Sequence, residues 1–320
     1  MAHIVLAGAT GYLGRYLAQQ FYRDGHQLGL LLRDEKKLER LQIPNHYVVK
    51  TDFGNSDHLL HEIPSCNIVV SCLGITKQQD GLSYDDVDYA MNARLLDFAK
   101  NSQAKQFMYI SVLHAEKMQN RLCQAKTKFT RQLKSSNIDY RIIRPSGFFS
   151  DIHNMLQQCD GKCLPILGNG QNSLNPIHGQ DLAQFCAEAL REKERELNIG
   201  GPLTYTQKEL AQLIQKHCKK PTRIFQLGEH LQAAAKFICR LAPERWTGSA
   251  EFILEASSTD MATKSYGDIK LEDFLAHSQS NSNCFSSSEF LANKYSANDN
   301  SENDNSKDDH ATNLQEANDV

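Results

Sequence analysis

Gly8, Gly11 and Gly14 recur at intervals of three residues between a short apolar run, Ile4 to Leu6, and a segment whose apolar positions Tyr16, Leu17 and Phe21 fall at helical spacing. Strand, glycine turn and helix in that order make a phosphate site. A helix N-terminus carries unpaired N–H groups and partial positive charge, and glycines let an anion approach them. In this reading Gly8 makes a tight turn, Gly11 lets backbone amides reach a pyrophosphate, and Gly14 lets the helix pack closely on the strand. Thr10, Tyr12 and Leu13 fill the same loop and join the candidate contacts. The competing reading is a glycine turn without a ligand, against which the flanking strand and helix speak.

The next position of interest is the end of the second apolar run, Gln27 to Leu32. A dinucleotide fold places an acid there to bind a ribose 2′-hydroxyl, or an arginine to accept a 2′-phosphate. This chain has Arg33, followed by Asp34, Lys36 and Lys37. A guanidinium pairs bidentately with phosphate, so the expected cofactor is NADP(H) in preference to NAD(H). The alternative leaves Arg33 as a solvated strand-end charge and gives the ribose to Asp34.

The spacing GxxGxxG with Ala9 and Thr10 inside it resembles the short-chain dehydrogenase/reductase superfamily, in its extended and atypical members. The resemblance implies further contacts: Asp52 and Phe53 after the third strand near the adenine, and Cys72, Leu73 and Gly74 after the fourth over its ribose. An Asp after a strand also has the ordinary reading of turn residue or helix cap. In most of the superfamily a Tyr-x-x-x-Lys helix does the chemistry. Here Lys126 falls on the lysine position, Leu122 on the tyrosine position, and the usual Ser/Thr falls near Leu113, leaving Ser111 as the hydroxyl close by.

A lysine retained without its tyrosine is similar to the atypical branch that includes divinyl chlorophyllide reductases, isoflavone-reductase-like enzymes and a complex I accessory subunit. The likeness runs over roughly residues 3 to 276, through Arg144-Pro145-Ser-Gly-Phe148-Phe149, Pro176-Ile-His-Gly-Gln-Asp-Leu182, Ile199-Gly-Gly-Pro202 and Tyr266 to Phe274. It implies that Pro145 and Phe148 stand on the nicotinamide side and that Lys126 is the catalytic candidate. Lys126 would bind the ribose and stabilise negative charge on a substrate oxygen, or protonate it if burial lowers its pKa; Tyr109 is given no part. Lys126 also reads as an exposed helical lysine among Lys128, Arg131 and Lys134. Phe148, Phe149 and Met155 are expected to line a substrate pocket. His178 with Asp181 has the form of an acid/base pair, but an acid after a Pro and a short loop is expected to cap or anchor the helix beginning there.

These groups need a scaffold. Apolar runs at Ile4 to Leu6, Gln27 to Leu32, Tyr47 to Lys50, Ile68 to Leu73, Phe107 to Ser111 and Tyr140 to Ile143 alternate with helical segments, including a short charged one at Glu35 to Leu41 and another at Tyr89 to Lys100. Strands alternating with helices imply right-handed crossovers and an α/β, doubly wound parallel sheet. Residues 1–150 are expected to form this Rossmann core, and residues 151–277 a small C-terminal substrate-side region intertwined with it, with helices at Ile177 to Arg191 and from Thr204 or Thr206 to Cys218. Residues 278–320, rich in Ser, Asn and Asp, read as a disordered acidic tail.

Composition limits the partners. A formal net charge of −3 with both signs dispersed gives no field suited to nucleic acid. Nine cysteines, odd in number and mostly in apolar segments, read as reduced thiols of a cytoplasmic protein; Cys159 and Cys163 have no second Cys/His pair at a finger-like distance, so no metal is expected. Met1 to Leu6 pass directly into a strand, so no secretory leader is expected, and the most apolar helical stretch, Leu231 to Leu241, is interrupted by Lys236 and Arg240 and is far shorter than the ~20 residues of a span. It is expected to face the core, with peripheral membrane contact as the alternative. The function expected is NADPH-dependent reduction of a small molecule by hydride transfer; the alternative is a non-catalytic NADP(H)-binding assembly factor or redox sensor. Neither an oligomeric state nor a substrate identity is specified.

Overall fold

The computed structural model describes residues 1–33, 43, 46–51, 53, 56–63, 65–75 and 81–280. Asp34, Lys36, Lys37, Asp52, the segment 35–41 and the tail beyond residue 280 lie outside the described residues. The strands are β1 (His3–Ala7), β2 (Gln27–Leu32), β3 (His46–Lys50), β4 (Ile68–Ser71), β5 (Gln106–Ile110), β6 (Asp139–Pro145), β7 (Cys163–Leu167), β8 (Ser173–Leu174), β9 (Glu196–Ile199), β10 (Tyr205–Thr206) and β11 (Arg223–Leu227). The helices are α1 (Tyr12–Arg23), α2 (Ser56–Glu62), α3 (Asn92–Asn101), α4 (Arg121–Lys134), α5 (Phe149–Cys159), α6 (Gly179–Ala189), α7 (Gln207–Lys216), α8 (Glu229–Leu241), α9 (Glu244–Ala256) and α10 (Leu271–Ser280).

Seven strands form one parallel sheet in the order β3-β2-β1-β4-β5-β6-β9. The central strands β1, β4 and β5 read as apolar runs because both faces are covered. Ile4 and Leu6 of β1 share one core with residues of α1 and α6, whereas Val5 and Ala7 share the opposite core with α2, α3 and α4. The chain steps from β1 outward to β2 on one side and returns to β4 on the other. A crevice therefore opens beyond the C-terminal ends of β1 and β4, where such sheets bind ligands. β9, at 196–199, extends the sheet with residues from the second half of the chain. Met1–His277 cohere as one unit.

The helix read at Tyr89 to Lys100 has an unexpected beginning. Asp85–Met91 is a π-helix that runs directly into α3. Its wider turn is held by Asn92, whose side-chain amide donates to the carbonyls of Val87 and Asp88 at 3.1 Å each, while its oxygen accepts from the Ser71 hydroxyl at the end of β4. This turn brings Val87, Asp88 and Met91 together on the buried side.

Beyond β6, two small two-stranded sheets, β7 with β11 and β8 with β10, are joined to the large sheet by polar contacts as well as apolar ones. Asn175 is the hub. Its amide nitrogen donates to the carbonyls of Gly201 (3.2 Å) and Thr263 (2.9 Å), and its oxygen accepts from the Thr263 N–H (3.0 Å). α7 opens with Thr206 and Glu209 in a reciprocal capping box, as the sequence signalled.

α8 departs from expectation. Leu231 to Leu241 was read as core-facing, but Phe237 is 64% exposed, Ile238 63% and Leu241 73%. Gln232 and Cys239 are the buried residues of this helix, and the apolar strip faces outward. The sequence pattern was right in its amphipathicity and wrong in its direction, because polar groups of the inner face find partners while aliphatic groups of the outer face do not.

Asn175 gives the fold a specific weak point. Asn175→Ala should lower stability by about 1–3 kcal/mol, the cost of leaving buried carbonyl and amide groups unpaired, in urea unfolding followed by circular dichroism. A loss below about 0.5 kcal/mol would deny the hub its role.

Candidate functional site

The turn after β1 has no room for side chains. Gly8 has φ of +90°, and a Cβ on it would lie 2.9 Å from Cys72 Sγ. A Cβ on Gly14 would lie 2.0 Å from the Gly8 carbonyl oxygen, so α1 can pack on β1 only through glycine. Gly11 caps α1 from an extended conformation with no side-chain hydrogen bond to the helix end. The first N–H groups of α1 are thus not taken by a capping side chain, at the crevice where β1 and β4 diverge, and this arrangement fits a pyrophosphate. Thr10 is half-buried in the turn and Leu13 is buried behind it. The Tyr12 ring turns away from the turn: its hydroxyl accepts the Gly179 N–H at 3.1 Å, and its ring meets Phe148 edge-on at 6.0 Å. Tyr12 could therefore meet a ligand through its backbone, while its side chain fastens α1 to α6.

Arg33 is exposed just past the end of β2, and Asp52 lies outside the described residues. Phe53 is buried in the core between sheet and helices with φ of +59°; its N–H donates to Thr51 Oγ1 (2.9 Å) and its carbonyl accepts from Arg94 (3.1 Å). Its ring serves packing. Cys72 likewise turns inward, donating its thiol to the Ala7 carbonyl at 3.1 Å, and burial pushes that thiol up to about 12. Leu73 takes its N–H to Ser71 Oγ at 3.3 Å, and Gly74 is exposed at the lip of the crevice.

Directly beneath Gly74 lies the feature that sequence reasoning half found. A Cβ on Gly74 would sit 2.7 Å from Asp88 Oδ1 and 3.0 Å from Lys126 Nζ. Lys126 Nζ stands 2.9 Å from Asp88 Oδ1, the aspartate being fully buried and the lysine nearly so. Asp88 Oδ2 accepts the Ile75 N–H at 3.2 Å, which pins the loop after β4. Burial opposes the lysine's charge, but attraction to Asp88, reinforced by Tyr109 and by the hydrogen bond to Asp88, outweighs it and holds the ammonium above the ordinary lysine range. For Asp88 burial is the stronger influence, so its carboxyl sits above the usual carboxylate range despite Lys126. The expectation of a proton-donating Lys126, lowered by burial into the working range, is corrected: its buried carboxylate partner reverses the direction. It is also not an exposed helical lysine.

Tyr109 completes the cluster. Lys126 Nζ lies 5.4 Å from its ring centroid, and burial pushes its hydroxyl up to about 12. Leu122, in the tyrosine position, is buried between Tyr84 and Ala125 and offers no proton. Ser111 and Leu113 are both buried after β5.

On the other wall, Pro145 ends β6 and accepts the Leu113 N–H at 3.2 Å through its carbonyl. Phe148 is half-buried at the start of α5, and Met155 is half-buried a few turns on. Phe149 does not line an open pocket; it packs against Phe274 and His178 at 5.4 and 5.6 Å between ring centroids. His178 is the cap of α6: Nδ1 accepts the Gln180 N–H (3.3 Å), which leaves Nε2–H to donate to the Tyr16 hydroxyl (3.4 Å). Asp181, in the first turn of α6, anchors the chain that leads into α10 by accepting the Ile269 N–H at 3.0 Å. The titratable group that sequence reasoning missed here is Asp151, in the first turn of α5. Burial pushes its carboxyl up to about 6 against a backbone hydrogen bond from Phe148, and its charge in turn contributes to raising the Tyr12 hydroxyl. An acid beside Phe148 that keeps its proton up to about pH 6, well above the ordinary carboxylate range, is a proton source that no motif marks.

The described residues contain no cluster of His, Cys, Asp and Glu able to hold a metal, and no helix among them is long and apolar enough to cross a membrane. With its parallel sheet, glycine turn and crevice, the chain belongs to the NAD(P)H-binding family, whose pattern it matches over residues 8–193. Its relatives lie in the atypical short-chain dehydrogenase/reductase branch. It is 25% identical over 219 residues to a divinyl chlorophyllide a 8-vinyl-reductase of Zea mays, covering 62% of this chain and 55% of that one. It is 22% identical over 227 residues to the mitochondrial NADH-ubiquinone oxidoreductase 40 kDa subunit of Neurospora crassa, covering 68% and 60%. A photosystem II assembly factor of Trieres chinensis is 24% identical over 221 residues, covering 67% and 68%. The matched stretch thus spans little more than half of the first two relatives. Among solved structures, an NADPH-dependent quinone oxidoreductase of Escherichia coli superposes with a TM-score of 0.65 at 18% identity, covering 86% of this chain and 99% of that one. A triphenylmethane reductase of Citrobacter gives 0.65 at 17%, covering 87% and 100%.

The buried pair can be tested by removing one partner. Asp88→Asn should cost about 3–5 kcal/mol at neutral pH by leaving the ammonium uncompensated, whereas Asp88→Leu combined with Lys126→Met should recover most of that loss. Lys126 binds its proton more tightly folded than unfolded. The native pair's contribution through Lys126 is therefore complete below the ordinary lysine range and lost only as pH rises through the raised value. In Asp88→Asn the lysine's burial is unopposed, so the sign inverts and the deficit should narrow with rising pH. Urea unfolding as a function of pH checks both; a deficit of ~0–1 kcal/mol, that of a surface pair, would contradict the assignment.

Proposed function

We propose that the protein is an NADPH-dependent oxidoreductase that reduces a small molecule. The observation that carries this reading is the turn at residues 8–14, closed to side chains at Gly8 and Gly14 and presenting an uncapped helix end to the crevice. The amides of Tyr12 and Leu13 hold the pyrophosphate, with Gly8, Thr10, Gly11 and Gly14 shaping the turn, which the Gly11 N–H closes by donating to the Gly8 carbonyl at 3.0 Å. Arg33 takes the ribose 2′-phosphate, and Asp52 and Phe53 border the adenine through the chain that follows β3. Cys72, Leu73 and Gly74 lie over the adenine ribose. Pro145 and Phe148 form the wall on the nicotinamide side.

A bound nicotinamide supplies the hydride; the residues of this chain must orient the acceptor and deal with its charge. Lys126, kept cationic by Asp88, binds the hydroxyls of the nicotinamide ribose and stabilises negative charge developing on a substrate oxygen. It does not surrender its proton readily, so the proton comes from elsewhere. Asp151, protonated at and below about pH 6, is the side chain suited to deliver it. Reduction would then fall with rising pH through that value and flatten in Asp151→Asn.

A second reading is favoured by Leu122, buried where the superfamily's tyrosine would act. Under it the chain binds NADP(H) without turnover and serves assembly of a larger complex, a role that the name of one relative attributes to that relative. Both readings need the same cofactor.

Titration of protein fluorescence with NADPH and with NADH tests the reading that both share. NADPH should bind more tightly, and Arg33→Ala should remove most of the difference, about 1–3 kcal/mol for a lost charge-assisted contact. Equal affinities in the unaltered protein would overturn the NADPH preference, and absence of either binding would overturn the function. Turnover of bound NADPH against a metabolite extract, read by stopped-flow absorbance and mass spectrometry, separates reductase from binding protein.

A further inference from the structure

Large apolar side chains exposed in one continuous strip signal a surface that is covered in the protein's working environment. On α8, Leu231, Phe237, Ile238 and Leu241 fall, with Ala234, within an arc of roughly 120° at 100° per residue. All four are exposed. α9, joined to α8 through Ala242 and Pro243, adds Trp246 and Ile253, seven residues apart and so two turns along one face, and both are exposed as well.

The strip is held firmly from behind. The Arg121 guanidinium, at the start of α4, donates to the carbonyls of Cys239 (2.9 Å), Arg240 (3.1 Å) and Ala242 (3.0 Å), satisfying the end of α8. It also lies 3.4 Å from Glu251. Glu255 accepts the N–H groups of Gln119 and Asn120 at 2.7 Å each, and Glu244 accepts that of Tyr84 at 2.8 Å. The two helices therefore present a fixed surface.

Charge identifies what covers it. Among the described side chains of α8 and α9, the acids Glu244, Glu251 and Glu255 are all engaged by these inward partners. Arg240 and Arg245 are exposed, and the Arg245 guanidinium stands 5.1 Å from the Trp246 ring centroid. An apolar strip edged by cations, with an indole at its margin, is the composition of helices that lie in the plane of a membrane interface. A second copy in a two-fold contact would instead present the same exposed arginines to one another.

We infer that α8 and α9 dock the protein on an anionic lipid surface, with the apolar strip in the acyl boundary and Arg240 and Arg245 at the phosphate groups. Because Arg121 and Asn120 tie these helices to the start of α4, docking also holds the helix that carries Lys126 at a fixed height over the membrane. The inference does not rest on the nucleotide reading.

The test uses the full chain with vesicles of phosphatidylcholine alone and of phosphatidylcholine mixed with phosphatidylglycerol. Trp246 is the sole tryptophan, so its emission reports on the proposed surface directly. Sedimentation with the mixed vesicles, a blue shift of that emission, and weakening of both by salt are expected. Phe237→Ser with Ile238→Ser should cut partitioning by more than about tenfold, since each removes a buried apolar side chain from the lipid-bound state only. Arg240→Glu with Arg245→Glu should abolish the preference for anionic vesicles. Unchanged circular dichroism of these variants shows that surface loss, not unfolding, is being read. Absence of vesicle binding, binding indifferent to both variants, or a dimer in light scattering that Phe237→Ser dissociates would each overturn the proposal.

Discussion

The buried ion pair of Lys126 and Asp88 is the interaction on which the arrangement of the site depends. It joins three elements distant in sequence: α4, which carries the lysine; the π-helix, which carries the aspartate; and the loop after β4, whose Ile75 N–H the same carboxylate accepts. Gly74 is glycine because the pair fills the space a Cβ would need. The widened turn at Asp85–Met91, stabilised by Asn92, brings Asp88 to the buried side. A buried charge pair is a poor source of net stability, since desolvation offsets most of the attraction. Its retention here is better explained by what it keeps in place: a permanently charged ammonium at the edge of a crevice, beside the path a dinucleotide would take from Gly11 to the end of β6.

The same economy of space governs the first turn. Gly14 brings α1 so close to β1 that the helix end, and no side chain, faces the crevice, while Tyr12 and Tyr16 point backward to fasten α6 through Gly179 and His178. The aromatic cluster of Tyr12, Tyr16, Phe148, Phe149, His178 and Phe274 thereby links the nucleotide-binding half of the sheet to the segment that begins at β6. Asp151 belongs to this junction, and its raised carboxyl follows from the apolar surroundings that the junction creates.

Much of this was legible in the sequence, for identifiable reasons. Parallel strands buried on both faces leave continuous apolar runs such as those of β4 and β5, and all six strands read from the sequence are present in the sheet. The glycine turn announces itself because close backbone approach admits no other residue, and Thr206 with Glu209 announces α7 because capping is local. Long-range partners left no such trace. Lys126 was found through its place after β5, but nothing within its own helix reveals Asp88, 38 residues earlier, and the direction of its pKa turned on that partner. The cap of α6 was expected from Asp181 and comes from His178, because nothing in the local sequence says which of two polar residues at a helix start turns its acceptor toward the first N–H groups. α8 was read as inward-facing because amphipathicity alone gives a helix two faces without saying which one meets the rest of the protein; its inward partners, Arg121 on the Cys239 carbonyl and Ser258 on Gln232 and Lys236, come from elsewhere in the chain.

The central claim is that Lys126 is held as a cation by Asp88 at the place where the dinucleotide binds. Its most direct test is nitrogen-15 NMR of the Lys126 ammonium, assigned by Lys126→Arg, followed through pH with and without NADP+. The account predicts a resonance that stays protonated after the exposed lysines have lost their protons, and that shifts on addition of NADP+. A Lys126 that titrates with or before the exposed lysines and does not respond to NADP+ would contradict it.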